Sequence, residues 1–487
     1  MSDPTGVVFP LDPTSGRRST TATGRAVVAD ALRGVDPVGA ASAERETNWR
    51  QGYLPHFRRL VEAGLTSPDA ARTIATDGLA SLHGRLRWAG PDGDHPLVDA
   101  FAEERRAPAL GSETVRGEGA PDRTLSVPYG GERLSGDGLR RRLERWVEAG
   151  TIEPTCAEAV GLVIDNPDWL DLSDRTVVVL GAAAEMGPLR SLLRWGADVA
   201  AVDLPRKDLW DRLIGDTRRL AGSITIPVLE GSGPLTQRAG GDLVHDLSAV
   251  TRWVAELAGP LVIGNYVYAD GETNVRVSTA VDALTRHVVD ERGRGDVALA
   301  FLATPTDVFA VPGAAVERSV DSYARRRTSK VLRVPLRTLS GGRLLRRNYV
   351  PGQDPGINDS VVVQQGPNYL LAKRLQRWRA TAYRGDGGVV SFKVAPPTRT
   401  RSVVKNRALA AAYAGAHRFG IEVFEPGTAN TLMAALLVHD LRTGSPARPA
   451  PWQDEAHAAA HGGLWTAAYD PRSALGLAAL LGLASAR

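Results

Sequence analysis

From Thr176 onward the chain alternates between short, continuously apolar runs and longer stretches with helical periodicity. TVVVLG ends in glycine, and a helix over MGPLRSLLRWG and a second strand in DVAAVDLP follow. SITIPVLEG reads as a third strand, GPLVIGNYVYADG as a fourth, VRVSTAVDALTRHVVDERG as a helix and DVALAFLATP as a fifth strand. Continuous β-branched runs separated by helices predict strands buried on both faces, hence an α/β fold with a doubly wound parallel sheet. Residues 307–360 interrupt the rhythm with the basic helix SVDSYARRR and a Gly-rich stretch, and read as an insertion. The pattern resumes with the strand-like SVVVQQ, the helix YLLAKRLQRWRA, the strand VVSFKVAP and helices from Ser402.

The part before about Asp171 is patterned as helices, and a helical N-terminal domain is expected over 26–171. HFRRLVEAGLTSPDAARTIATDGLASL and LRRRLERWVEAGTIEPTCAEAVGLVIDN align, with Val61–Gly64 matching Val147–Gly150 and Pro68 matching Pro154. In each copy an amphipathic helix stops at glycine and a second starts at proline, whose missing N–H costs nothing in the first turn. These predict two related helical hairpins packed as an appended domain. A DNA-reading helix-turn-helix is the alternative, but neither second helix has a basic face. Residues 89–138, rich in Gly, Pro and charge, read as loop or linker. The frame expected for the α/β domain is 172–445, followed by a helical segment over 446–487.

Composition narrows the function classes. No apolar run is long enough to span a bilayer, and residues 1–25, rich in Ser, Thr, Gly and Pro, are expected to be a disordered lead-in. Cys156 is the lone cysteine, which excludes an internal disulfide framework and suits a cytoplasmic location. No Cys/His cluster has metal-ligand spacing, so no metal is expected. A formal charge of +4 with interleaved signs favours an enzyme over a nucleic-acid binder. Only five of the 59 basic residues are lysines, so a well-placed lysine is informative. The basic stretch RTSKVLRVPLRTLSGGRLLRRNY reads as a solvated face. His417 and His439 read as packed residues on apolar helices, and SALGLAALLGLASA as a packing helix, with a substrate lid or subunit contact as alternatives.

The first strand-turn-helix carries the strongest local signal. Gly181-Ala-Ala-Ala-Glu-Met-Gly187 has the small residues that a chain needs where it turns beneath phosphates. Asp203 ends the second strand 22 residues after Gly181, where a carboxylate can accept both hydroxyls of an adenosine ribose. Turn and acid together suit either a nicotinamide dinucleotide or S-adenosylmethionine.

Tyr369 and Lys373 share one helix face. A phenol beside an ammonium can serve as a proton donor to a carbonyl. Twenty-seven residues past Tyr369, VVSFKVAPPTRT ends a strand in Pro396, Pro397 and Thr400. In order and in most spacings, these features resemble the short-chain dehydrogenase/reductase superfamily over about residues 176–440. The matching parts are the turn Gly181–Gly187, Asp203, Asn265 in GNY after strand four, Tyr369 with Lys373, and the proline-threonine strand end. Three positions depart from that pattern. Glu185 replaces the middle glycine, Pro397 replaces a later glycine, and no serine stands a dozen residues before Tyr369. Thr304 or Thr306 could take the serine's role if the insertion loops out and returns; otherwise SVVVQQ is strand five, with Gln364 or Gln365 in that place.

The resemblance implies a Rossmann-like, NAD- or NADP-dependent oxidoreductase acting on a carbonyl or alcohol. Tyr369 would be the general acid/base, and Lys373 would hold the nicotinamide ribose and lower the phenol pKa. Gly181, Ala182, Met186 and Gly187 would border the pyrophosphate, Asp203 would hold the adenosine ribose, and Glu230 would lie near the adenine. Asn265, Pro396 and Thr400 would complete the cofactor site. Asp203 slightly favours NAD, because it would repel a 2′-phosphate, while the nearby Arg206 and Lys207 keep NADP open. The expected partner is a small substrate, hydrophobic or sugar-like, with neither nucleic acid nor a membrane span; a homo-oligomer is compatible. The rival readings are a methyltransferase-like protein using S-adenosylmethionine and a non-catalytic nucleotide-binding scaffold.

Overall fold

The computed structural model describes residues 5–12, 15–102, 109–325, 330–362 and 365–485. Its strands in chain order are β1 (Gly6–Val8), β2 (Arg87–Gly90), β3 (Gly93–Pro96), β4 (Gly111–Arg116), β5 (Ser126–Tyr129), β6 (Glu132–Ser135) and β7 (Thr176–Leu180). There follow β8 (Asp198–Val202), β9 (Ser223–Val228), β10 (Leu261–Asn265), β11 (Val297–Ala303), β12 (Val308–Val311), β13 (Gly356–Asp359) and β14 (Val390–Val394). Seven of them form one sheet in the order β14-β11-β10-β7-β8-β9-β4. All neighbours in it are parallel except β4, which lies antiparallel on the β9 edge. The order reverses between β7 and β10. In open α/β sheets such a switch point leaves a crevice at the carboxyl ends of the strands, where ligands bind.

Side chains alternate across this sheet, so the central strands β7, β8, β10 and β11 each feed two cores. Val178, Leu180, Ile263 and Phe301 join one core, while Val177, Val179, Val262 and Ala300 join the other. The helices Glu272–Arg292 and Gly366–Gly385 cover the first face. Leu189–Trp195 and Pro426–Thr443 cover the second.

The repeated hairpins do not form an appended domain. Trp49–Gly64 and Pro68–Arg85 lie against the Gly366–Gly385 helix in the first core, and Gly136–Ala149 and Pro154–Asp165 lie in the second, the latter beside Pro426–Thr443. The two copies therefore cap opposite faces of one sheet, and no boundary falls near 171. The fit is close: a Cβ on Gly78 would stand 2.5 Å from the Trp378 indole. Periodicity identified these helices, but their apolar faces could not say which surface they cover.

Three further expectations change. The lead-in is ordered within the described residues: β1 is buried and pairs with β2, and the Thr20–Arg33 helix is capped by Ser19. The 89–138 linker holds β3 to β6 and part of β2, short strands whose charged and glycine residues hide the alternation. SVVVQQ is not a strand where it is described. Val361 and Val362 are buried in the connection after β13, and β11 is the fifth parallel strand. The 307–360 insertion contains the antiparallel pair β12–β13 and the helix Gly313–Arg325. No helix among the described residues is long and apolar enough to cross a membrane.

Candidate active site

The insertion loops out and returns, and its two ends meet at Tyr369. The Tyr369 hydroxyl shares a hydrogen bond of 2.6 Å with Thr304 Oγ1, just past the carboxyl end of β11. Thr304 Oγ1 lies 3.2 Å from Thr306 Oγ1, which accepts from Gln365 Nε2 at 2.9 Å. Both threonines therefore stand beside Tyr369, and Gln365 supports Thr306 instead of replacing it. Gln364 lies outside the described residues.

Asp307 fixes this return. Its carboxylate accepts from Val308 N–H at 2.7 Å and from Arg377 at 3.0 Å, while Arg377 also grips Glu455 at 2.7 Å and the Val308 carbonyl at 2.7 Å. Arg377 lies on the Tyr369 helix, so a buried ion pair holds the threonine segment against that helix. Asp307, Arg377 and Glu455 were not identified from sequence. Pairs so distant along the chain leave no local spacing to read.

Burial pushes the Tyr369 phenol well up from its ordinary pKa, assisted by the Asp307 charge; the threonine hydroxyls oppose this. The expected lowering by Lys373 is not found. Lys373 Nζ instead donates to the Leu302 carbonyl at 3.3 Å and to Gln376 Oε1 at 3.2 Å, and Gln376 Nε2 donates to Asn265 Oδ1 at 3.2 Å. Asn265 and Lys373 thus belong to one network through Gln376, another residue missed from sequence. Burial lowers the Lys373 ammonium to about 8, with Asp307 acting against the shift.

At the neighbouring strand ends the chain turns tightly. Gly181 has φ +86°, and a Cβ there would stand 3.0 Å from the Tyr266 carbonyl, so only glycine suits both the backbone and the space. Asp203 is half-buried and accepts from Ala183 N–H at 2.7 Å and Leu204 N–H at 2.8 Å. Burial nevertheless raises its pKa, because those two bonds only partly replace water. Ala182 and Gly187 are buried, and Met186 is partly buried. The helix expected from Met186 begins at Leu189, because residues 182–188 form turns ahead of it.

Glu185 turns toward the opposite loop. It accepts from Arg401 N–H at 2.8 Å, and its other oxygen pairs with Arg401 Nε at 2.7 Å. This joins the glycine turn to the segment after β14 that contains Pro396 and Thr400. Thr398 Oγ1 donates to the Pro396 carbonyl at 2.8 Å, and Thr400 shares a hydrogen bond with Ser402 at 2.9 Å. Glu230 is exposed on the loop after β9. Arg206 and Lys207 pair with Asp208 and Asp211, at 2.7 and 2.6 Å. His439 is buried beside Asp440, whereas His417 is exposed and not a packed residue.

No protein-family model matches the chain, and no curated protein matches it in sequence.

Proposed function

We propose that the protein is a Rossmann-like, NAD(P)-dependent oxidoreductase of short-chain dehydrogenase/reductase type, acting on a carbonyl or alcohol. The observation that carries this reading is the 2.6 Å contact between Tyr369 and Thr304 at the end of β11, with Lys373 one helical turn along. Asp203 and the small-residue turn support a dinucleotide. The carboxylate is partly desolvated, and the N–H groups of Glu185 and Met186 have no hydrogen-bond partner among the described residues. In this reading Asp203 accepts from the adenosine ribose, those N–H groups meet the pyrophosphate, and Lys373 donates to the nicotinamide ribose. NAD is favoured, because Arg206 and Lys207 are already paired with acids.

A bound NADH or NADPH supplies the hydride. Tyr369, held protonated by burial, gives its proton to the carbonyl oxygen, and Thr304 orients that oxygen. Giving the proton leaves, and taking one requires, the same buried phenolate, so burial selects no direction, and carbonyl reduction is the direction proposed. Calorimetric titration of the full chain with NADH, NADPH and S-adenosylmethionine tests the reading. NADH is expected to bind most tightly; binding of S-adenosylmethionine alone would favour a methyltransferase, and no nicotinamide binding would end the proposal.

A further inference from the structure

We infer that the carbonyl substrate is uncharged and apolar, and that its hydrocarbon part fills a cavity of about 80 Å³ roofed by the C-terminal helices. The inference rests on carbonyl reduction at Tyr369. The cavity's inner wall includes Val361 and Val362, just past the return of the insertion. Its roof includes Ala412 from the Arg407–Ala416 helix, with Ala474 and Leu475 from the Pro471–Ser485 helix. Thr306 also lines it, and the Thr306 hydroxyl is followed by Thr304 and Tyr369 at 3.2 and then 2.6 Å. The apolar chamber thus reaches Thr306, whose hydroxyl is linked through Thr304 to Tyr369.

The lining argues against a charged substrate. Arg472 is the charged side chain in the wall, and it is tied to Asp359 at 3.0 Å. A carboxylate or phosphate inside would lose its hydration and gain no free cation from this wall. The roof is also firmly built. A Cβ on Gly482 would stand 1.9 Å from the Ala411 carbonyl, and one on Gly415 would stand 2.0 Å from the Ala478 carbonyl, so the two helices touch backbone to backbone. One water needs about 10–15 Å³ by the same measure, which leaves room for roughly a six-carbon chain or one ring.

The test uses the full-length protein and the 2-alkanones from butanone to octanone, with direct binding followed by ligand-observed NMR and turnover by NADH oxidation. Affinity should tighten about fourfold per methylene up to roughly six carbons and then level off. Ala474→Phe should weaken ketone binding at least about tenfold and leave NADH affinity unchanged, and Ala412→Leu should do the same if the first variant fails to fold. Ketone binding untouched by either variant, or 2-oxo acids of equal length binding as tightly as ketones, would overturn the inference. Ketones that bind in an Ala474-dependent manner without NADH oxidation would leave the cavity assignment standing and sink the reduction. NADH oxidation by small polar aldehydes, equal in wild type and Ala474→Phe, with no alkanone binding would do the reverse.

Discussion

Thr304 and Tyr369 are separated by 65 residues, yet their hydroxyls lie 2.6 Å apart, and the whole insertion is accommodated between them. In the proposed reaction the tyrosine gives the proton and the threonine aims the acceptor. Tyr369→Phe should leave cofactor affinity intact and lower kcat by about 100- to 10,000-fold. Thr304→Val should cost about 10- to 100-fold in kcat/KM, as expected for one lost hydrogen bond to the reacting oxygen. Steady-state kinetics beside cofactor titration checks both, and a Tyr369→Phe enzyme with normal turnover would refute the mechanism.

Gln376 is a positioning residue, since it joins Lys373 to Asn265 and touches no reacting atom. Gln376→Leu should weaken NADH binding about 3- to 10-fold by freeing the ammonium to move, with a smaller fall in kcat. Gln376→Glu, which retains an acceptor for Lys373, should recover most of the affinity. Equal losses in the two variants would point to packing alone.

The pH dependence of cofactor binding has a defined sign. Lys373 sits at about 8, so its ammonium is lost two or so units earlier than in a solvated lysine, at about 10.4. NADH affinity should fall as pH rises through about 8, and Lys373→Arg should move that fall out of range. Over the same interval the unfolded chain retains the proton that the folded chain has released. This group's contribution to stability therefore rises from pH 8 to about 10 while affinity declines. Calorimetry for affinity and denaturant titration for stability separate the two trends.

The Glu185–Arg401 pair spans the turn where a pyrophosphate would approach. Glu185→Gln removes a negative charge there and leaves Arg401 free to meet a phosphate. NADH should bind about 3- to 10-fold more tightly, with the gain shrinking at high salt. Weaker binding in Glu185→Gln would mean that the pair organises the turn.

Asp282 is 3 % exposed and accepts from Arg379 at 2.7 and 2.8 Å, with His83 Nε2 at 2.7 Å. One carboxylate thereby ties the Pro68–Arg85 hairpin helix to the Tyr369 helix. Arg379 holds its pKa well below the ordinary carboxylate range, despite the opposing cost of burial. Its stabilisation is present above the unfolded value of about 3.9 and is lost as pH falls below that toward the folded pKa. Asp282→Asn should cost about 3–5 kcal/mol by leaving the Arg379 guanidinium buried without its counter-charge, and should flatten the acid limb of stability. Urea titration between pH 3 and 7 measures both.

The parallel strands were legible because strands buried on two faces read as unbroken apolar runs, as in TVVVLG. Thr304 and Thr306 were named for the same reason, since the end of β11 could be located. What escaped lies between distant segments. β4 shows GSETVR, too polar to resemble sheet, because it sits on an edge with one side toward water. Asp307 with Arg377, and Gln376 with Asn265, are ordinary polar residues until the chain folds them together. SVVVQQ misled for the opposite reason, since Val361 and Val362 are buried beside a cavity outside the sheet.

The position of Gly78 against Trp378 has a consequence for how the protein is made. Synthesis proceeds from the N terminus at about 5–20 residues per second, so the Pro68–Arg85 helix leaves the ribosome roughly 15–60 s before the helix that covers it. Through that interval Thr20–Arg33 and Trp49–Gly64 can already pack on this helix, but its Trp378 side stays uncovered. The early helices thus keep one apolar face open until the Gly366–Gly385 helix has been made, which makes them natural clients for a holding chaperone.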